Sequence, residues 1–214
     1  MEETDILGAP YTVETIVLRP DAEGAVEANL VRRTPERPSR RAVLHVHGFC
    51  DYFFHTEYAE WWAARGVDFY ALDLRKYGRS LREHHTPGYV DDVREYFEEL
   101  DAAWERITVR DGHDEVVLSA HSTGGLTAAL WANDRRHELA GMFLNSPWVD
   151  MHGPFWVRLG ARVARQLGSY QPRREIPRSR SGVYGQGLHR DLSGEWAYDL
   201  AWKPLESWPV YAGW

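Results

Sequence analysis

Cysteine is nearly absent from this sequence, since Cys50 is the only one among 214 residues. A single thiol excludes an internal disulfide, so nothing in the chain demands an oxidising compartment. Residues 1–5 are acidic and lack the basic and apolar regions of a secretory signal. No run of 18 apolar residues occurs, so we expect no stable membrane insertion. The sequence predicts a cytoplasmic protein.

Positive charge is also in deficit, because the formal net charge is −7. Basic residues exceed acidic ones only in residues 151–214, and no nucleic-acid-binding motif accompanies them. We therefore expect no nucleic-acid partner. We also expect no cofactor and no metal ion.

What the sequence does contain is an alternation of apolar strands and amphipathic helices, with 43% hydrophobic residues. Predicted strands cover residues 11–18, 25–32, 42–46, 67–72, 115–120 and 140–145, and predicted helices cover residues 56–65, 90–107 and 124–135. The first two strands are predicted to form an antiparallel hairpin or meander, with the turn at Gly24. The central helix places one apolar face on Val93, Phe97, Leu100, Trp104 and Ile107. This order predicts an α/β fold with a mostly parallel sheet and helices on both faces.

A serine at the junction of a predicted strand and helix is the most informative feature. Ser122 lies between residues 115–120 and 124–135, flanked by the small residues Ala120 and Gly124. Small neighbours permit the strained turn that lifts a nucleophilic hydroxyl clear of a sheet, and the helix N-terminus favours developing negative charge. Ala120 occupies a position where glycine is commoner. Ser122 is thus a predicted nucleophile.

A second turn follows the strand at residues 42–46 and contains His47, Gly48 and Phe49. Acyl transfer requires two backbone N–H groups that bind the oxyanion of the tetrahedral intermediate. One donor is predicted at Thr123, the residue after the serine. The other comes from the turn after the earlier strand and is predicted at Phe49. His47 is expected to shape this turn.

These motifs, with Asp73-Leu74-Arg75 and Gly78-Arg79-Ser80 between them, resemble the α/β-hydrolase superfamily, in its monoacylglycerol-lipase-like and serine-aminopeptidase-like branch. The resemblance implies a serine hydrolase that cleaves small or lipid-like carboxylic esters through an acyl-enzyme at Ser122. A peptidase of the serine-aminopeptidase type and a catalytically silent protein of the same fold are the alternatives. Asp73 and Arg75 are expected to shape loops.

The regular alternation stops after residue 150. We expect a hydrolase core over residues 1–150, a helical cap over 151–206, and the beginning of a return to the core over 207–214. An apolar stripe in the cap contains Phe155, Leu159, Val163 and Leu167. The many tryptophans of this part fit either a surface for an acyl chain or ordinary packing, and the sequence does not choose between them.

A base and an acid for the serine are not evident. In the resembled fold both follow later strands, whereas the histidines after Ser122 are His137, His152 and His189, none of which follows a strand. His121 is adjacent to Ser122, so its side chain must point elsewhere. We expect the acid and base beyond Trp214, in a longer protein. A rearranged site that uses His189 or His152 with Asp191 or Asp150 is the alternative.

If strands that follow in the resembled fold are missing, the strand at residues 140–145 would have an open apolar edge. Such an edge promotes pairing with another chain. We therefore expect self-association of residues 1–214 through this strand, in addition to binding of a small-molecule ester.

Overall fold

A seven-stranded mixed sheet organises the computed structural model, which describes residues 2–149, 166, 168–176 and 187–212. The strands are β1 (Glu2–Thr4), β2 (Tyr11–Val17), β3 (Glu27–Arg33), β4 (Arg41–Val46), β5 (Asp68–Asp73), β6 (Glu115–His121) and β7 (Gly141–Asn145). Their order is β1-β2-β3-β5-β4-β6-β7, in which β5, β4, β6 and β7 are parallel and the remaining pairs antiparallel. The predicted α/β fold with a mostly parallel sheet is confirmed.

Three α-helices connect the parallel strands: α1 (Thr56–Ala63), α2 (Phe97–Glu105) and α3 (Thr123–Arg135). The helix predicted over residues 90–107 is wrong at its start. Asp92 accepts a hydrogen bond from Arg94 N–H while Glu95 accepts one from Asp92 N–H, and this capping box begins a 3₁₀ turn at Val93. The helical path continues through α2 into a π-helical turn at Arg106–Arg110.

Helices cover both faces of the sheet. Neighbouring residues of a strand point to opposite faces, so each face packs against its helices in a separate core. On one side Leu44, Tyr70 and Leu118 form a core with Leu100 of α2 and Trp131 of α3. On the other side Val43 and Phe69, which precede Leu44 and Tyr70 in the sequence, share a second core with Ala59 of α1. The predicted apolar face of the central helix packs in the first core, with Leu100 and Ile107 fully buried.

The two edge strands differ in how well the sequence predicted them. β1 was not predicted, because its residues Glu2–Thr4 are polar and exposed and carry no apolar pattern. β7 was predicted, and within the described residues it pairs only with β6. Met142 and Phe143 of β7 are 41% and 54% exposed.

Buried ion pairs hold the loops that follow β4 and β5. Asp73 accepts hydrogen bonds from Phe53 N–H (2.9 Å) and from the Arg79 guanidinium (2.7 Å). Arg75 donates to the buried carboxylate of Glu99 at 2.7 Å. Asp73 therefore joins the loop after β4 to the loop after β5, and Arg75 joins the loop after β5 to α2.

The predicted cap stripe lies outside the described residues, since none of its four members Phe155, Leu159, Val163 and Leu167 is described. Within the described part of the chain, no helix combines the length and apolar character needed to cross a bilayer.

Candidate active site

The backbone at Ser122 is strained. Ser122 joins β6 to α3 with φ 51° and ψ −120°, a positive φ that non-glycine residues adopt rarely and that costs about 1–3 kcal/mol. Two hydrogen bonds hold this conformation: Ser122 N–H donates to Asn145 O at 3.0 Å, and Trp148 N–H donates to Ser122 O at 2.8 Å. The serine thus lies at the positive end of the α3 dipole, beside the end of β7.

The start of α3 lies against the chain that leaves β4, and only glycine permits this. A Cβ on Gly124 would lie 2.2 Å from His47 O and 2.7 Å from Val46 O. A Cβ on Gly125 would lie 2.7 Å from Pro147 Cβ, in the turn whose residues Asn145 and Trp148 are hydrogen-bonded to Ser122. The small residue at position 124 was predicted from the tight turn, whereas the structural need for Gly125 was not.

His47 orients the turn that follows β4. Leu74 N–H donates to His47 Nε2 at 3.1 Å, so Nε2 is unprotonated and the proton is on Nδ1. Nδ1 then donates to Gly48 O at 2.8 Å. The His47 ring is buried and lies 4.8 Å from the ring of Tyr77. These contacts connect the turn to the end of β5.

Gly48 brings this turn into contact with the serine. A Cβ on Gly48 would lie 3.0 Å from Ser122 Cβ and 3.1 Å from His121 Nδ1. Phe49, the next residue, is half-buried with its ring 6.1 Å from that of Trp208. The structure therefore places Gly48 against Ser122 and His121, and the carbonyl oxygen of His47 against the start of α3. The assignment of Phe49 and Thr123 as oxyanion donors stays a prediction.

The two described histidines that follow Ser122 in sequence are engaged elsewhere. His137 stacks on Trp104 at 4.6 Å beyond the far end of α3, about 20 Å along the helix from Ser122. His189 uses both ring nitrogens on the backbone of its own segment: Nδ1 accepts from Asp191 N–H at 3.2 Å, and Nε2 contacts Tyr198 O at 3.2 Å. This occupation argues against His189 as a rearranged base. His152 and Asp150 lie outside the described residues.

A buried charge cluster next to the serine was missed by sequence reasoning. The Asp51 carboxylate binds Lys203 Nζ at 2.7 Å, and its second oxygen lies 3.9 Å from His121 Nδ1. Burial, and then the charge of Lys203, lower the pKa of His121 and outweigh the opposing effect of Asp51. His121 is therefore neutral at pH 7. Its Nδ1 faces the Asp51 carboxylate, which gives this side chain a partner other than Ser122.

Aromatic residues of the covering segment, which we define as residues 196–208, contact the chain after Gly48. The Trp202 ring lies 5.3 Å from that of Tyr52, and the Tyr198 ring lies 4.8 Å from that of Phe54. Trp196 Nε1 donates to Glu57 at 3.0 Å. Of the two interpretations left open for the tryptophans, packing therefore applies to Trp196, Trp202 and Trp208.

Solved structures with a similar fold are hydrolases. A monoglyceride lipase from Saccharomyces cerevisiae has a TM-score of 0.66 and 16% identity, and the match covers 94% of this chain and 65% of that protein. A monoacylglycerol lipase from Paleococcus ferrophilus has a TM-score of 0.59 and 22% identity, with 86% and 66% coverage. At these identities the likeness establishes the fold alone.

Sequence comparison gives the family. A probable lysophospholipase L2 from Haemophilus influenzae is 27% identical over 118 residues, which are 55% of this chain and 38% of that protein. The chain thus spans 38–66% of the length of these three relatives. The model of the serine aminopeptidase S33 family matches residues 37–193, which include both turns and β4 to β7. The chain belongs to the serine aminopeptidase S33 family, and its fold is that of the α/β hydrolases.

Proposed function

We propose that this chain carries the nucleophile and the oxyanion-binding turn of a serine hydrolase that cleaves carboxylic esters. The observation that carries the proposal is the position of Ser122, held at a positive φ at the N-terminus of α3 with Gly48 in contact. Strain of this kind is maintained where the surrounding structure over-determines it, and it concentrates at functional sites.

In the proposed reaction Ser122 Oγ attacks the ester carbonyl carbon and loses its proton to a base. The carbonyl oxygen becomes an oxyanion that accepts hydrogen bonds from Phe49 N–H and Thr123 N–H. Collapse of this intermediate expels the alcohol with a proton and leaves an acyl-enzyme, which water hydrolyses. We assign the base and its carboxylate partner to residues outside the described part of the chain.

An ester is proposed rather than a peptide because the matched relatives are named as lipases and a probable lysophospholipase. The family description itself is that of an aminopeptidase. Both reactions pass through the same oxyanion, so Ser122, Phe49 and Thr123 serve either one. Measuring the substrate preference of the protein would distinguish an esterase from a peptidase.

The test is labelling of the full-length protein with a fluorophosphonate, combined with hydrolysis of p-nitrophenyl butyrate. We expect label on Ser122, and Ser122→Ala removes both labelling and turnover. Ser119→Ala is the matched control, because Ser119 lies three residues earlier on β6 with its hydroxyl on Tyr58 at 2.8 Å. Hydrolysis that persists in Ser122→Ala contradicts the proposal. Faster cleavage of an aminoacyl p-nitroanilide favours the peptidase, and a folded protein inert to both favours a silent binding protein.

A further inference from the structure

The Asp51–Lys203 pair is buried on both sides. The two side chains are 7% and 6% exposed, and Lys203 Nζ lies 2.7 Å from Asp51 Oδ1 and 3.4 Å from Cys50 O. Burial would raise the pKa of the Asp51 carboxyl, but the charges of Lys203 and His55 outweigh it and hold that pKa below its usual value. Charges removed from water are costly unless geometry and hydrogen bonding compensate them. A functional role would therefore explain why this buried ion pair is present.

The pair lies at the junction of three elements that build the proposed site. Asp51 follows the Gly48 turn by three residues, and its carboxylate faces His121, the residue before Ser122. His121 Nδ1 in turn lies 3.1 Å from the position of a Cβ on Gly48. A movement of Asp51 would therefore displace the Gly48 turn on one side of this contact and His121, with the adjacent Ser122, on the other.

The covering segment fixes Lys203 over this junction. Asp199 N–H donates to the Tyr52 hydroxyl at 2.8 Å, and Lys203 N–H donates to Asp199 O at 2.9 Å. Trp208 contacts Phe49 further along the same segment. The ion pair is thus held between an aromatic contact at Tyr52 and another at Phe49, the proposed oxyanion donor.

We propose that Lys203 is a positioning residue, which acts through Asp51 to hold the turn at residues 47–49 against Ser122 and so sets the place of the Phe49 N–H. This inference rests on the proposed function. An oxyanion donor contributes only in the transition state, so its displacement lowers kcat while KM changes little. A pair that merely fastens the covering segment would change stability and leave kcat unaltered.

The experiment compares Lys203→Met with Lys203→Arg in the full-length protein, by p-nitrophenyl butyrate kinetics and by hydrogen exchange of residues 48–52. We expect Lys203→Met to lower kcat at least tenfold, to leave KM within about twofold, and to speed exchange of these amides about tenfold. Lys203→Arg keeps the charge and restores at least half of kcat. Unchanged kcat or unchanged exchange in folded Lys203→Met overturns the inference.

Lys76→Met is the matched control, because Lys76 is also buried and paired, with Asp21 at 2.6 Å and Glu23 at 2.7 Å in the connection between β2 and β3. It is expected to lower stability without changing kcat or the exchange of residues 48–52. If Lys203→Met does not fold, Asp51→Asn with Lys203→Met removes both charges, and the kcat loss is expected to persist in that double variant. Recovery of kcat there overturns the inference. Exchange does not require turnover, so failure of the proposed function, seen as hydrolysis by Ser122→Ala, is distinguished from failure of this inference.

Discussion

The Cα of Gly124 faces the carbonyl oxygen of His47 so closely that a methyl group at position 124 would lie 2.2 Å from that oxygen. This is shorter than any real carbon–oxygen contact between non-bonded groups, and the obstructing atom is backbone. Helix α3, which begins after the proposed nucleophile Ser122, and the turn after β4 therefore pack together only because position 124 has no side chain.

Gly124→Ala is expected to separate these two elements. Overpacking against backbone costs about 1–3 kcal/mol or more of unfolding free energy, and we expect the rate of fluorophosphonate labelling at Ser122 to fall at least tenfold. Urea unfolding and labelling kinetics measure the two effects. Gly141→Ala is the control, since its nearest neighbour would be Val117 Cγ2 at 4.0 Å. Equal labelling rates for the two variants would contradict the close fit.

The strain at Ser122 predicts an inversion of the usual ranking of alanine and glycine. Because φ is 51° at this position, we expect Ser122→Gly to be about 1 kcal/mol more stable than Ser122→Ala, although both are inactive. At Ser119, inside β6, the order is expected to be the ordinary one, with alanine more stable. Chemical denaturation of the four variants measures both differences. A less stable Ser122→Gly would mean that the turn carries no strain.

The sequence predicted the parts of the site that are governed by local rules. Apolar periodicity placed β6 and α3, and the need for small residues around a tight turn singled out Ala120, Ser122 and Gly124. The Asp51–Lys203 pair could not be predicted, because its members are 152 positions apart and no local pattern reports such a contact. The start of the central helix was missed for a local reason, since the side chains of Asp92 and Glu95 decide it.

Acid is expected to destabilise the protein partly through His45. Burial, and then the charges of His55 and His47, lower the pKa of His45 to about 3. The unfolded chain binds this proton near pH 6.5, whereas the folded chain does not bind it until about pH 3. The unfolded state is therefore favoured as pH falls through this window, by at most about 1.4 kcal/mol per pH unit.

The substitution His45→Gln removes the group that binds this proton, so position 45 no longer contributes to the pH dependence of the unfolding free energy. We expect the loss of unfolding free energy between pH 7 and pH 4.5 to be smaller in this variant than in the unmodified protein, although its stability at pH 7 is lower. His84→Gln, at an exposed position, is the control and should follow the unmodified protein. Urea unfolding at the two pH values gives the comparison. Parallel losses in all three proteins would show that His45 titrates normally.

Residues 1–214 produced alone are expected to self-associate through β7. Its outer edge is unpaired within the described residues, and Phe143 is 54% exposed. Lysine on an edge strand opposes pairing with another chain, so Phe143→Lys should shift the population toward monomer in light scattering. Val109→Lys is the control, because Val109 is 75% exposed but lies on the π-helical turn. Monomer at high concentration without any substitution would rule out this edge as an interface.

The same chain, residues 1–214, is expected to hydrolyse esters only slowly. The Ser122 hydroxyl needs a base, and His121, His137 and His189 are all engaged elsewhere. A hydrolase without its triad retains only binding and the oxyanion donors, a residual acceleration of roughly 10³–10⁴ over water. Turnover of p-nitrophenyl butyrate by the purified chain measures this remaining activity. Gly124→Ala should lower the turnover further, because the substitution displaces the turn that carries the proposed oxyanion donor.

Rapid turnover would instead require a base inside the chain. His152→Ala then decides the matter, because that histidine is the remaining candidate after Ser122, and loss of the rapid rate in this variant would identify it as the base.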